Sequence, residues 1–223
     1  MSTKKKEISK NRYSSILEFV TNKQYALAGV GISDKTSFDW RNKGIYLQGK
    51  KSNYRMKYSG VEYIWLLLVK ELRTFGIPIK AIKYLKEFLI TEVDVEALIV
   101  AFQDSNADSE LVILQELTTK TDNSVQLKNE MKKSNEILEK HVVNSILTSM
   151  IISTLLKEKE YILFIKKNGD CLIETIDDDN SLSNIFLHES CLMIPFKNIV
   201  NQFLKNEKNN NYNKITQEFN PNF

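Results

Sequence analysis

Apolar residues recur at helical spacing in two adjacent segments that follow residue 58, and this pattern predicts a pair of helices. The first begins at Ser59, which can form a capping box with Glu62 three residues later. Its apolar positions continue to Phe75, and Gly76 ends the pattern. The second opens at Pro78, a residue suited to the first turn of a helix. Its apolar stripe comprises Ile79, Ile82, Leu85 and Leu89, and Lys80, Lys83 and Lys86 are expected to face away from it.

Two shorter helices are predicted upstream of this pair. Residues Arg12–Asn22 place Ile16, Phe19 and Val20 on one face of the first. Ser33 is a favoured N-cap residue and Gly44 a favoured helix terminator, so the sequence predicts the second over Asp34–Lys43. The segment Ile45–Tyr58 that follows is short, polar and basic, and its length suits two short strands and a turn.

Helical patterns continue beyond residue 90. They predict one helix over Glu92–Phe102 and a long one over Lys128–Leu156. The second half of the long helix, Val142–Leu156, is apolar nearly all round. All-round apolarity indicates burial, either against the rest of this chain or against a second copy of it.

The pattern changes to that of a sheet near residue 160. Tyr161–Ile165 and Cys171–Ile176 flank an Asn168-Gly169 pair, which is a strong signal for a β-hairpin. Cys191–Ile194 is predicted as a third strand and Pro195–Leu204 as a short helix. The chain is therefore predicted to have an α+β fold that is mainly helical.

Charge is distributed unevenly along this pattern. Residues 1–90 contain 18 Lys and Arg against 7 Asp and Glu, whereas the remainder contains 13 against 21. The overall net charge of +3 conceals this difference. A basic segment beside an acidic one indicates that the first contacts a polyanion and the second does not.

Several classes of function have no support in the sequence. No phosphate-binding glycine loop, nucleophile motif or zinc spacing is present, and an enzyme, a cofactor or a metal site is not expected. Asp177–Asp179 are expected to be solvated loop residues, and Cys171 and Cys191 small apolar residues on strands. The stretch Val142–Leu156 is too short to span a membrane, and no signal peptide is recognised, so a cytoplasmic protein is expected.

A series of motifs between residues 25 and 90 resembles the DNA-binding domain of the MerR-type family. The motifs are Gly-Ile-Ser-Asp-Lys-Thr at 31–36, Trp40, Gly44-Ile45, Tyr54-Arg55 and Leu-Arg-Thr-Phe-Gly at 72–76, in the order in which that family carries them. Phe38 stands where the family carries an arginine, and the acidic half of the chain contains no effector motif of the family. The resemblance implies a winged helix-turn-helix that binds double-stranded DNA.

The domain organisation predicted from these observations has four parts. They are a winged helix-turn-helix over 1–90, a helical linker or dimerisation region over 91–157, a small α+β domain over 158–205, and a disordered tail over 206–223. The candidate DNA contacts lie in the first part. On and before the Asp34–Lys43 helix they are Ser33, Lys35, Thr36, Phe38, Asp39, Trp40 and Arg41, and on the wing they are Lys50, Lys51, Asn53, Tyr54, Arg55 and Lys57.

These residue types suit different parts of a DNA duplex. Lys35, Thr36 and Asp39 can contact base edges in the major groove, and Trp40 and Arg41 can contact the backbone. Trp40 is equally well explained as a core aromatic. The wing residues suit phosphates, which supply affinity without sequence information.

The sequence therefore predicts a transcriptional regulator that binds specific DNA sequences, is a homodimer and has an effector that the sequence does not identify. One alternative is an architectural DNA-binding protein of the excisionase or partition type, which bends DNA. Another is a protein–protein adaptor with a degenerate winged helix, which the loss of the recognition-helix arginine at Phe38 favours.

Overall fold

A long helix, Gly60–Thr74, lies at the centre of the protein. The computed structural model describes residues 15–47, 57–91, 142, 144–157, 159–176 and 190–205. Within these ranges, residues 15–21 form α1 and Leu27–Val30 a 3₁₀ helix. The remaining helices are α2 (Asp34–Asn42), α3 (Gly60–Thr74), α4 (Ile79–Leu89), α5 (Ile146–Leu156) and α6 (Phe196–Lys205), and the strands are β1 (Tyr161–Lys166), β2 (Cys171–Thr175) and β3 (Cys191–Pro195). The predicted α+β class is confirmed.

The start of α3 is fixed by the capping box that the sequence predicts. The Ser59 side chain accepts a hydrogen bond from the Glu62 backbone N–H, and the Glu62 carboxylate accepts one from the Ser59 N–H. Every residue of the helix from Gly60 to Val69 is buried. Trp65 is fully buried and donates from Nε1 to the Ile45 carbonyl at 2.8 Å, which attaches the segment after α2 to the central helix.

The segment between α2 and α3 differs from its predicted form where it is described. Ile45–Leu47 is not a strand. Tyr58 instead forms an isolated antiparallel bridge with Tyr25, upstream of the 3₁₀ helix. The predicted two-stranded wing thus has one described end paired with a different part of the chain, and residues 48–56 lie outside the described ranges.

The three strands form one antiparallel sheet in the order β2-β1-β3. The predicted hairpin is confirmed, with Ile165 opposite Cys171 and the turn at Asn168 and Gly169 between them. The Asp170 N–H donates to the Asn168 side chain at 3.1 Å, an interaction that stabilises the turn. The sheet covers part of the core with Leu163, Ile165 and their neighbours on the same face.

The turn of the hairpin packs directly against α4. Gly169 has a φ of +102°, and a Cβ at this position would lie 2.6 Å from the Ala81 carbonyl oxygen. Only glycine satisfies both the left-handed conformation and the close approach. The C-terminal sheet is therefore in contact with the basic N-terminal part of the chain.

The prediction of one continuous helix over Lys128–Leu156 is wrong, because the helix does not continue through Ser145. Ser145 is an N-cap residue whose side chain accepts from the Thr148 N–H, so α5 begins at Ile146, and Asn144 lies in a turn. A hydroxyl that serves as a cap ends any helix that approaches it from upstream. The burial predicted for this apolar segment is confirmed, and it occurs within a single chain, because most residues of α5 are buried there.

The N-terminal and C-terminal parts share one hydrophobic core in the described ranges, which extends from Ile16 to Phe203. Phe203 of α6 contacts the rings of Phe19, Tyr25 and Tyr63, at centroid distances of 6.0, 5.0 and 5.6 Å. A Cβ added at Gly60 would lie only 3.2 Å from the Phe203 ring, so α6 approaches the start of α3 closely. The aromatic cluster joins the last helix to the first described residues.

No helix in the described ranges combines the length and the apolarity that crossing a membrane requires.

Candidate nucleic-acid interface

The N-terminus of α2 is capped by two of the predicted site residues, Ser33 and Thr36. The Ser33 Oγ accepts from the Thr36 N–H at 3.1 Å and lies 2.9 Å from the Thr36 hydroxyl. Asp34 in the first turn is favourably placed beside the positive end of the helix dipole. The side chains of Ser33 and Thr36 are thus engaged in the cap, and contact with DNA would compete with it.

The inner face of α2 holds the helix on the core. Ser37 is buried, and its hydroxyl shares a 2.7 Å hydrogen bond with the Tyr46 hydroxyl. Trp40 is 5% exposed and belongs to the hydrophobic core. Trp40 is therefore a core aromatic, as the alternative explanation predicts, and little of its side chain is accessible to the DNA backbone.

The opposite face of α2 is open to solvent. Asp34, Lys35, Phe38 and Asn42 are all exposed, and at 100° per residue they lie within one face of the helix. Phe38 is 68% exposed, the largest value among the large apolar side chains in the described ranges. A short helix that is anchored by one face and exposed on the other has the geometry required to enter a major groove.

Two charged residues of α2 are committed to partners within the protein. Asp39 pairs with Lys43 at 2.8 Å, a surface pair in which both side chains are half exposed. Arg41 donates from Nη2 to the Tyr58 hydroxyl at 2.6 Å, and its guanidinium lies 5.0 Å from the centre of the Tyr46 ring. The exposed pair can open at little cost. Arg41 is only partly exposed, and it positions α2 against Tyr46 and Tyr58.

The two ends of the predicted wing lie close together beside α2. The rings of Tyr46 and Tyr58 are 5.9 Å apart, so the chain leaves and returns at one place. Burial, reinforced by the neighbouring Tyr46, raises the pKa of Tyr58 to about 12. Lys57 is exposed at this position. The other predicted wing contacts, Lys50, Lys51, Asn53, Tyr54 and Arg55, lie outside the described residues.

Lys86 anchors this region from α4. Its ammonium donates to the carbonyls of Gly44 and Tyr46 at 2.7 and 3.3 Å, and burial lowers its pKa. The prediction that Lys86 faces away from the core is therefore wrong. The aliphatic part of a lysine packs along apolar surface while its charged end reaches a polar group, which hydrophobic periodicity does not indicate.

Asn42 is a further exposed member of the outer face of α2 that was not among the predicted contacts. Its position four residues after Phe38 was the available signal, since residues at this spacing share a helix face. The cysteines lie on strands as predicted, and burial raises the pKa of the Cys171 thiol to about 12. The described ranges contain no group of His, Cys, Asp or Glu side chains that could hold a metal ion.

Comparisons with protein-family models, with curated proteins and with solved structures found no match to this chain.

Proposed function

We propose that the protein is a transcriptional regulator that binds specific sequences of double-stranded DNA and inserts the outer face of α2 into the major groove. The observation that carries this proposal is the orientation of α2. The helix buries Ser37 and Trp40 and exposes Lys35, Phe38 and Asn42. It does so within the first 90 residues, where basic residues exceed acidic ones by eleven. No catalytic group or cofactor is part of this function.

In this proposal, the positive charge of the first 90 residues supplies the affinity for DNA phosphates. Lys43 and Lys57 lie on or after α2 and are exposed. Lys50, Lys51 and Arg55 are expected to add further phosphate contacts from the wing, together with Asn53 and Tyr54. Such contacts set the register of the helix in the groove and make binding depend on salt concentration.

A homodimer remains part of the proposal on one ground, since a single small DNA-binding unit has limited affinity. The other ground, the all-apolar segment Val142–Leu156, no longer supports it, because α5 is covered within one chain. Sedimentation of the full chain with its selected DNA would show two protomers on one duplex. A single protomer per duplex at saturation would remove the dimer from the proposal. As a DNA-binding regulator, the protein would act in the cytoplasm.

A protein–protein adaptor is the second candidate, and exposed groups on α2 favour it. Phe38 is apolar, and Asp34 carries a negative charge on the same face. An adaptor would show no DNA affinity that depends on salt.

Fluorescence anisotropy on labelled duplexes tests the proposal with matched lysine variants. Lys35→Ala is expected to weaken binding to a selected duplex and to reduce its preference over scrambled DNA. Lys80→Ala removes the same charge from an exposed position on α4 and should leave that preference intact. Arg55→Ala should weaken binding to every duplex and reduce the slope of log affinity against log salt by about one. Equal effects of all three variants on all duplexes would show that α2 does not contact bases.

A further inference from the structure

The outer face of α2 has an unusual composition once its internal bonds are assigned. Ser33 and Thr36 form the cap, Ser37 binds Tyr46, Asp39 pairs with Lys43, and Arg41 binds Tyr58. These five side chains thus have hydrogen-bond or ion-pair partners within the protein. What the helix presents to solvent at the centre of its outer face is the phenyl ring of Phe38, with Lys35 three residues before it and Asn42 four residues after.

A phenyl ring cannot donate or accept a conventional hydrogen bond, so it distinguishes bases by apolar contact. In the major groove, thymine presents a 5-methyl group, whereas cytosine has only a hydrogen at that position and neither adenine nor guanine carries a methyl group. 5-Methylcytosine presents the same methyl group. An exposed phenylalanine gains free energy by covering such a group.

We propose that Phe38 contributes to the sequence specificity of the protein by contacting the 5-methyl group of a pyrimidine, which is thymine in unmodified DNA. This inference rests on the proposed function, because it requires α2 in the major groove. The basic balance of the first 90 residues favours DNA over a protein as the occupant of this face. On the face itself, Lys35 supplies a charge that complements the duplex, and the negative charge of Asp34 lies beside the positive N-terminus of α2.

The test uses the full chain and a duplex selected from a random double-stranded library. Each thymine of the selected site is replaced in turn by deoxyuridine, which keeps base pairing and removes only the methyl group. At the contacted position the affinity should fall about fourfold, the effect of losing one buried CH₂ or CH₃ group. Comparing 5-methylcytosine with cytosine at this position, each paired with guanine, separates the methyl group from the rest of the base pair.

Two phenylalanine variants complete the design. Phe38→Ala should bind thymine and deoxyuridine duplexes equally. Phe75→Ala, which removes an exposed ring beyond the end of α3, should still distinguish them. Tighter binding of the 5-methylcytosine duplex than of the cytosine duplex would identify the methyl group itself as the recognised element, and equal binding of the two at every position would overturn that assignment.

The outcomes separate this inference from the proposed function. If duplexes are selected and bound, but every deoxyuridine duplex binds as tightly as its thymine counterpart, Phe38 does not recognise a methyl group and DNA binding stands. If Phe38→Ala leaves this discrimination intact while disrupting self-association of the chain, the ring belongs to a protein interface. If no duplex is bound, the proposed function itself fails.

Discussion

Tyr25 and Phe203 pack edge to face, with ring centroids 5.0 Å apart and ring planes at 79°. Tyr25 precedes the helix proposed to contact DNA, and Phe203 lies on the last described helix. Such an aromatic pair contributes about 0.5–1.5 kcal/mol beyond the burial of its area. The pair belongs to a larger aromatic cluster, because Phe203 also contacts Phe19 and Tyr63. The N-terminal part therefore shares its hydrophobic core with α6.

Truncation before α6 is expected to unfold the N-terminal part as well. A chain that ends at Pro195 loses Phe196, Ile199, Val200 and Phe203 from the core, whereas a chain that ends at Lys205 keeps them. Circular dichroism and thermal unfolding should show a folded protein only for the longer chain. Within the full chain, Phe203→Ala should cost about 3–5 kcal/mol of unfolding free energy. A cooperative transition in the shorter chain, near that of the longer one, would contradict a shared core.

Gly169→Ala is expected to destabilise the protein more than Gly76→Ala does. Both glycines have positive φ angles, of +102° and +78°, so each alanine carries a conformational cost of about 1–2 kcal/mol. At Gly76 nothing lies within 4 Å of the added Cβ, whereas at Gly169 it would meet the Ala81 backbone at 2.6 Å. The clash should add about 1–3 kcal/mol, measured by urea unfolding. Equal costs would show that the hairpin turn does not pack on α4.

Trp40→Phe is expected to change stability and not DNA affinity. Trp40 is buried against the core, so a smaller ring leaves a void and should cost about 1–3 kcal/mol. Phe38→Ala should do the opposite, with stability unchanged within about 0.5 kcal/mol and DNA affinity reduced, because that ring is exposed. Denaturant unfolding and anisotropy titrations on both variants provide the comparison. A Trp40→Phe variant of normal stability but weakened DNA binding would place Trp40 at the interface.

Alkaline pH is expected to destabilise the protein through buried tyrosines. Burial raises the pKa of both Tyr25 and Tyr58 to about 12, above the ordinary value of about 10. Between these values the unfolded chain releases protons that the folded chain retains, so stability is full below about pH 10 and falls as pH rises toward about 12. Each tyrosine should contribute a slope of about 1.4 kcal/mol per pH unit.

The tyrosine-to-phenylalanine variants provide the control for this pH dependence. Tyr25→Phe removes one titrating hydroxyl and should make the decline of unfolding free energy above pH 10 shallower. Tyr58→Phe should do the same, with a lower starting stability because Arg41 loses its acceptor. Unfolding free energies that fall in parallel with those of the wild type would show that other groups determine the alkaline response.

Features that the sequence predicted correctly are local ones. The capping box at Ser59, the helix terminator at Gly76 and the hairpin turn at Asn168-Gly169 each depend on residues within a few positions of one another. Ser145 carried a local cap signal as well, but the helical pattern predicted across it, from Lys128 to Leu156, concealed it. A cap residue is therefore easily overlooked when it lies within a longer segment that has helical periodicity.

Contacts between distant segments could not be predicted in this way. The Tyr25–Tyr58 bridge, the packing of Phe203 and the hydrogen bonds of Lys86 all depend on the tertiary fold. For the candidate site, the sequence placed α2 and its cap correctly. It could not show which polar side chains of α2 are engaged inside the protein, because their partners Tyr46 and Tyr58 lie in the following segment.

Selection of bound duplexes from a random double-stranded DNA library by the full chain tests the central claim most directly. The proposed function predicts enrichment of a defined sequence, and the contact made by Phe38 predicts that this sequence contains a thymine whose exchange for deoxyuridine lowers the affinity about fourfold. A dimer on DNA predicts that this sequence recurs as an inverted repeat. Failure to enrich any sequence, with affinity that disappears at moderate salt, would contradict specific recognition and leave only a basic surface that attracts DNA through its phosphates.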